Sequence, residues 1–276
     1  EAAEILYRIS ADIHMHGSDI KEGKIELIAD CDGVLKIRRD ALLAVNSLGE
    51  MMIASRHGDF PVKKGDKIAG TRIIPLVIEK TKMDKAEKVA GTKPIFSILP
   101  YRSKKVGIIT TGSEVQKGLI KDTFTPVLKE KLDEFSCQIL GQTLPGDERS
   151  QITSDILSFI DQGTDMVICS GGMSVDPDDR TPGAIKDTGA EIVTYGAPVL
   201  PGAMLLLSYY QNNDKIIPIL GLPGCVMYAR RTVFDLILPR IMADDRICAD
   251  EIASYGEGGL CLNCDVCTFP NCGFGK

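Results

Sequence analysis

Two groups of residues in this chain are equipped for chemistry: four cysteines that close it, and a set of glycine- and hydroxyl-rich turns in its second half. Cys261, Cys264, Cys267 and Cys272 follow the pattern C-x2-C-x2-C-x4-C. Four thiolates at such spacing suit a thiophilic metal, either tetrahedral zinc or the iron of an iron–sulfur cluster. The run is one residue longer than the ferredoxin pattern C-x2-C-x2-C-x3-C-P, and Pro270 precedes the last cysteine instead of following it. Disulfides and free thiols are the remaining options. The other five cysteines are scattered singly. Cys31, Cys137 and Cys169 lie in or beside apolar runs and read as small core residues. Cys248 has no assigned role.

The turns are Thr110-Thr111-Gly112-Ser113-Glu114, the stretch from Ser170-Gly171-Gly172-Met173-Ser174 to Pro182, Pro198 to Ala203, and Gly221-Leu222-Pro223-Gly224. Glycine lets backbone approach a ligand closely. Backbone N–H groups ahead of a helix bind anions such as phosphate, and Ser or Thr hydroxyls add donors. Glu114, Asp122, Asp147, Asp176, Asp178 and Asp179 could hold Mg²⁺, a hard cation that favours carboxylates and phosphate oxygens. Any one such turn is ordinary punctuation. Four at successive strand ends call for a ligand.

The elements that must position them alternate in type. Val106 to Ile109, Ile139-Leu140, Met166 to Cys169, Ile192-Val193 and Ile216 to Leu220 read as strands. Asp122 to Phe135, 148–162, 181–188 and Val226 to Met242 read as helices. This rhythm predicts an α/β fold with a mostly parallel sheet in three α/β/α layers, where ligands bind outside the carboxyl ends of strands. Upstream, 1–13 read as an amphipathic helix. Ile25 to Ile28, Val34 to Ile37, Met51 to Ala54 and Arg72 to Ile78 read as strands of a smaller β-rich domain. Its segment Pro61 to Ile68 resembles a turn of biotinyl/lipoyl-type barrel-sandwich modules, but the hairpin lysine those modules modify is missing, which makes it a structural module. The expected organisation is an N-terminal helix (1–23), a β-rich domain (24–80), a linker (81–104), an α/β domain (105–247) and a cysteine-rich tail (248–276). Gly256, Gly258 and Gly259 read as a flexible connection to the tail.

The 276 residues leave room for two domains and a sizeable core without disulfide staples. With 38 acidic against 32 basic residues the net charge is -6, which argues against nucleic acid or an anionic membrane as partner. Apolar runs such as Met204 to Leu207 are too short to span a bilayer. No export signal is visible, so a cytoplasmic location with free thiols or a metal site is expected. The chain opens at Glu1 without an initiator Met, and residues upstream of it are expected.

Residues 105–243 resemble the molybdopterin-binding domain of molybdopterin molybdotransferases, molybdopterin adenylyltransferases and gephyrin. The matching elements, in order, are Thr111-Gly112-Ser113-Glu114, Ile120-Lys121-Asp122-Thr123, Asp147, Ser170-Gly171-Gly172-Met173-Ser174-Val175 with Asp179, Pro201-Gly202, and Gly221-Leu222-Pro223-Gly224. The resemblance implies a pocket for molybdopterin or its adenylylated form, and a part in molybdenum-cofactor biosynthesis or handling. Thr111, Gly112, Ser113 and Glu114 would line one side. Ser170, Gly171, Gly172 and Ser174 would bind phosphate, and Asp147, Met173, Pro201, Gly202, Pro223 and Gly224 complete the cofactor-binding set. Glu114, Asp122 and Asp179 would be the catalytic carboxylates serving Mg²⁺. A homodimer or trimer, and a molybdoenzyme partner, are further implications. The family's Lys-Pro-Gly-Lys loop reads Leu200-Pro201-Gly202-Ala203 here, its Leu-Pro-Gly-Asn-Pro reads Leu222-Pro223-Gly224-Cys225-Val226, and its Asp-Thr-Asn/Ser reads Asp122-Thr123-Phe124. Backbone shape is kept while polar side chains are lost. That favours binding over molybdate insertion, leaves a carrier or sensor as the alternative to a transferase, and places Cys225 where it would face the pocket. Arg180 is the candidate to replace a lost cation.

Overall fold

The computed structural model describes residues 1–173 and 179–276. The chain forms two units, one of residues 1–101 and 243–245, the other of 102–242 and 246–276.

Unit 1 contains α1 (Ala2–Ser10), β1 (Met15–Gly17), β2 (Lys24–Ala29), β3 (Gly33–Ile37), α2 (Arg39–Asn46), β4 (Met51–Ser55), β5 (Phe60–Val62), β6 (Lys67–Ile73), α3 (Lys80–Ala90) and β7 (Phe96–Pro100). Two antiparallel sheets, ordered β1-β2-β6-β4 and β5-β3-β7, share one core with the helices. β2 alternates buried and more exposed residues, as a strand covered on one face must. The expected linker is corrected here. Most of 81–104 is α3 and β7, and Met83, Ala86, Ala90, Phe96 and Ile98 lie buried in the core. Their helical spacing is sparse among lysines, which masks the buried face. The strand expected over Arg72 to Ile78 ends at Ile73, and helix α2 was hidden among strand runs.

Unit 2 contains β8 (Lys105–Thr111), α4 (Ser113–Gln116), α5 (Phe124–Asp133), β9 (Gln138–Gly146), α6 (Arg149–Asp161), β10 (Met166–Ser170), α7 (Thr181–Asp187), β11 (Glu191–Tyr195), β12 (Leu206–Asn212), β13 (Lys215–Leu222), a 3₁₀ turn (Gly224–Met227), α8 (Val233–Met242) and α9 (Ala249–Ser254). The sheet order is β11-β12-β13-β10-β8-β9. β13, β10, β8 and β9 run parallel, while β12 pairs antiparallel with both β11 and β13. Ile109, Val167, Cys169, Ile217 and Ile219 face α6 and α7 on one side. Thr110 faces Thr125 of α5 on the other (3.4 Å), where Lys131 of α5 pairs with Asp235 of α8 at 2.6 Å. This is the three-layer α/β/α arrangement. The long helix expected from Val226 begins only at Val233, because the 3₁₀ turn and the irregular residues 228–232 occupy its first part. No helix among the described residues is long and apolar enough to cross a membrane.

The tail packs on unit 2. Leu200 and Leu260 form an isolated parallel bridge, Phe274 is buried, and the Phe269 and Phe274 rings lie 6.2 Å apart. Gly259 serves close approach: a Cβ there would stand 2.3 Å from the Tyr255 carbonyl oxygen and 2.4 Å from that of Pro198. That glycine is a packing requirement, where flexibility was the expectation.

Candidate functional site

Strand register fixes where the site lies. Ser170 at the end of β10 stands opposite Thr110 in β8 and Leu222 in β13, so three loops leave the sheet at one level. β8 is followed in sequence by β9 on one side, and β10 then returns to the other. Such a reversal leaves a crevice at the carboxyl ends, the usual ligand position in open α/β sheets.

The loop after β10 is held by hydroxyls. Thr111, at the end of β8, donates from Oγ1 to the Ser170 carbonyl at 3.3 Å, and Thr181 donates from Oγ1 to the Gly171 carbonyl at 2.9 Å. Gly171 has φ +87°, and a Cβ on it would come within 2.6 Å of the Thr111 carbonyl oxygen. Only glycine fits. Met173 turns inward, its thioether filling the space beside Gly221.

A pocket of about 560 Å³ opens above this turn. Gly171, Gly172, Met173 and Asp179 form one wall; Leu200, Pro201, Gly202, Ala203 and Met204 form a second; Pro223, Gly224 and Cys225 form a third, with Phe124 beside them. Eight predicted residues therefore meet: Gly171, Gly172, Met173, Asp179, Pro201, Gly202, Pro223 and Gly224. Cys225 lines the pocket as its position predicts, and burial pushes its thiol pKa up. Met204 was missed; it follows the Pro-Gly loop in an apolar run that reads as core. Gly202 (φ +128°) presses on Val233, where a Cβ would lie at 2.5 Å, and the Val233 N–H donates to the Pro201 carbonyl at 3.1 Å. The second wall thus rests on the start of α8.

Other predicted residues act one layer back. Ser170 is buried, with its hydroxyl 3.4 Å from that of Thr110. Ser113 donates its N–H (2.8 Å) and its hydroxyl to Asp147, which fastens the turn after Gly112 to the end of β9. Asp122 accepts from the Phe124 and Thr125 N–H groups at 2.9 and 3.1 Å, and from Gln142 Nε2 at 2.6 Å. Burial works against its charge, but these hydrogen bonds outweigh it and hold the carboxyl below its usual range. Glu114 lies on the short α4, outside the pocket lining. Among the described residues no three His, Cys, Asp or Glu side chains converge as a ready metal site. Glu114, Asp122 and Asp179 therefore do not form a preassembled cation cage. Ser174, Asp176 and Asp178 lie outside the described residues.

The four tail cysteines line a second cavity of about 470 Å³, together with Tyr228, Arg230 and Arg231. Cys264 and Cys267 are exposed, Cys261 and Cys272 half-buried, and all four are free thiols. They surround the space without converging on one point.

The family described as "probable molybdopterin binding domain" matches residues 107–243. The molybdopterin molybdenumtransferase of Synechococcus elongatus is 25% identical over 193 residues, 67% of this chain and 44% of that protein. The Haemophilus influenzae protein of the same name is 26% identical over 236 residues, 82% of this chain and 54% of that one. The chain thus spans about half the length of these curated relatives. Among solved structures, the tungsten cofactor synthesizing protein MoaB from Pyrococcus furiosus is similar at 16% identity and a TM-score of 0.44, over 53% of this chain and 99% of that one. The matched span contains every loop of the first pocket, and residues 107–243 are a molybdopterin-binding domain of this family.

Proposed function

We propose that unit 2 binds molybdopterin or its adenylylated form, in a molybdotransferase-like step of cofactor biosynthesis or in handling of the finished pterin. The observation that carries this reading is the pocket at the carboxyl ends of β10 and β13, walled by the three loops that fall inside the matched domain. Its Gly171-Gly172 turn brings backbone close to a phosphate. Mg²⁺ keeps most of its waters and needs only one or two carboxylates besides phosphate oxygens. Asp179, on the pocket wall, would hold it, and the metal would neutralise charge on the phosphoanhydride. Asp122 and Asp147, already engaged by backbone donors, position loops instead.

A second reading, a carrier or sensor without turnover, is favoured by Leu200 and Ala203, which give the second wall no cation. The tail thiols add an iron–sulfur or zinc centre to either reading. A cytoplasmic homodimer or trimer, passing pterin to a molybdoenzyme, completes the proposal. Calorimetry with molybdopterin under reducing, Mg²⁺-replete conditions tests binding, and molybdate-dependent AMP release from the adenylylated pterin tests transfer. Binding with AMP release supports the transferase and binding without it supports the carrier. Absence of binding overturns both.

A further inference from the structure

Among the described residues, Phe124 is the one aromatic side chain that lines the proposed pterin pocket. It opens α5, and its backbone is held from both sides. Its N–H donates to Asp122 Oδ1 at 2.9 Å, and the next N–H, of Thr125, donates to the same oxygen at 3.1 Å. Gln142 Nε2 of β9 donates to Asp122 Oδ2 at 2.6 Å and to Thr110 Oγ1 at 3.2 Å. The buried Thr125 hydroxyl lies 3.4 Å from that of Thr110 in β8. One residue before Phe124, Thr123 donates from Oγ1 to the Met227 sulfur at 2.9 Å, which ties the start of α5 to the 3₁₀ turn that follows Pro223. The Phe124 side chain is half-buried and shares the pocket with the apolar Leu200, Pro201, Met204 and Pro223.

We propose that Phe124 stacks on a flat heteroaromatic ring of the ligand and so selects ring-bearing phosphates over simple ones; this rests on the pterin reading above. Among the described residues the walls bring one charge to the pocket, the Asp179 carboxylate, and no lysine or arginine. A phosphate therefore meets backbone N–H donors and no fixed cation, and the affinity has to come from apolar surface removed from water. Leucine, proline and methionine offer such surface to any apolar group. A phenyl face discriminates, because it packs offset against another π system and gains more from it than from an aliphatic group of equal area. Stacking tolerates different rings, since every heterocyclic base has a π-face. The bonds around Asp122 already place the Phe124 backbone, so only its side-chain torsions remain to be set on binding. Pterin and adenine, the two rings of the adenylylated ligand, both meet this requirement.

The test uses the full chain and calorimetry under reducing conditions, with molybdopterin, 6-hydroxymethylpterin, AMP and ribose 5-phosphate as probes. The last carries a phosphate without a heteroaromatic ring. Phe124→Leu keeps apolar bulk and removes the ring face, while Phe124→Tyr keeps that face. Phe124→Leu should weaken ring-bearing probes about tenfold, and Phe124→Tyr should stay within about twofold of the unaltered chain. Ribose 5-phosphate should bind all three proteins equally. A loss for molybdopterin and 6-hydroxymethylpterin assigns the stacked ring to the pterin, a loss for AMP alone assigns it to adenine, and a loss for all three shows that the face takes either. Ring-bearing probes that bind Phe124→Leu as tightly as the unaltered chain overturn the proposal and leave the pterin reading standing. A tenfold loss that extends to ribose 5-phosphate, or that Phe124→Tyr shares, means a distorted pocket instead of stacking and also overturns it. Failure of the unaltered chain to bind molybdopterin overturns the pterin reading and the proposal with it.

Discussion

Gly171→Ala is the sharpest perturbation of the proposed pterin pocket, because two separable costs fall on it and only one falls on Gly163→Ala. The two glycines have φ of +87° and +86°. Gly163, just past α6, has nothing within 4 Å of where a Cβ would sit, so its alanine carries only the left-handed backbone penalty, about 1–2 kcal/mol. At Gly171 the Cβ would also stand 2.6 Å from the Thr111 carbonyl oxygen and 2.7 Å from its Oγ1. Thr111 is buried at the end of β8, and its backbone cannot yield as a flexible side chain would. Overpacking of this kind costs about 1–3 kcal/mol. Gly171→Ala should therefore lose about 2–5 kcal/mol in urea unfolding, against about 1–2 kcal/mol for Gly163→Ala. Because the turn must move to relieve the overlap, molybdopterin affinity should fall for Gly171→Ala and stay unchanged for Gly163→Ala. Equal losses of stability in the two variants would refute the reasoning, since the Thr111 contact would then carry no cost.

Three further outcomes are expected. Alkylation with iodoacetamide should modify the exposed Cys248, Cys264 and Cys267 first; Cys137, whose thiol is pushed up to about 11 by burial, should react late, and the fully buried Cys169 only on unfolding, as peptide mass mapping would show. Asp122 has a folded pKa below its unfolded one, so its contribution is present above about pH 4 and is lost as pH falls through the folded value. Gln142→Ala removes one of the bonds that lower it, so the acid limb of unfolding, followed by circular dichroism, should move to higher pH; coincident limbs would count against that bond. Leu200→Lys, at an exposed position, restores a cation to the second wall and should raise affinity for AMP about tenfold, in line with a charge-assisted hydrogen bond; unchanged affinity in calorimetry would show that no phosphate reaches that wall.

Much of unit 2 was legible because strand runs there are buried on both faces and read as continuous apolar stretches, as in Met166–Ser170, where every residue is buried. The turns that build the pocket carried their own signal, since Gly171 and Gly202 hold backbone conformations that other residues avoid. Side-chain direction was not legible. Asp122 and Asp147 read as free carboxylates, yet both are taken up by N–H donors of neighbouring turns, a use that short polar residues at loop ends commonly find. β12 was hidden because Leu206 to Ser208 continue the apolar run that opens at Met204, straight after the Pro201-Gly202 turn, and read as core. In unit 1, α3 escaped because its buried face is built from Met83, Ala86 and Ala90, small or singly placed among lysines.

The distribution of charge bears on which activity unit 2 can support. Asp179 is the one charged side chain among the described residues lining the proposed pterin pocket. Arg230 and Arg231 point to the tail and to α8, where they meet the Asp265 carbonyl, the Phe269 ring and Asp235. A phosphate entering the pocket therefore meets backbone N–H groups and whatever cation it brings with it. Dipolar donors suffice to hold an anion at rest. Splitting a phosphoanhydride requires neutralising charge that grows during the reaction, which fixed cations or Mg²⁺ supply. Binding should thus tolerate removal of Mg²⁺ with a modest loss of affinity, while any AMP release should vanish. Titrating both against EDTA separates the two roles, and AMP release that survives chelation would mean that a protein cation outside the described wall takes the metal's place.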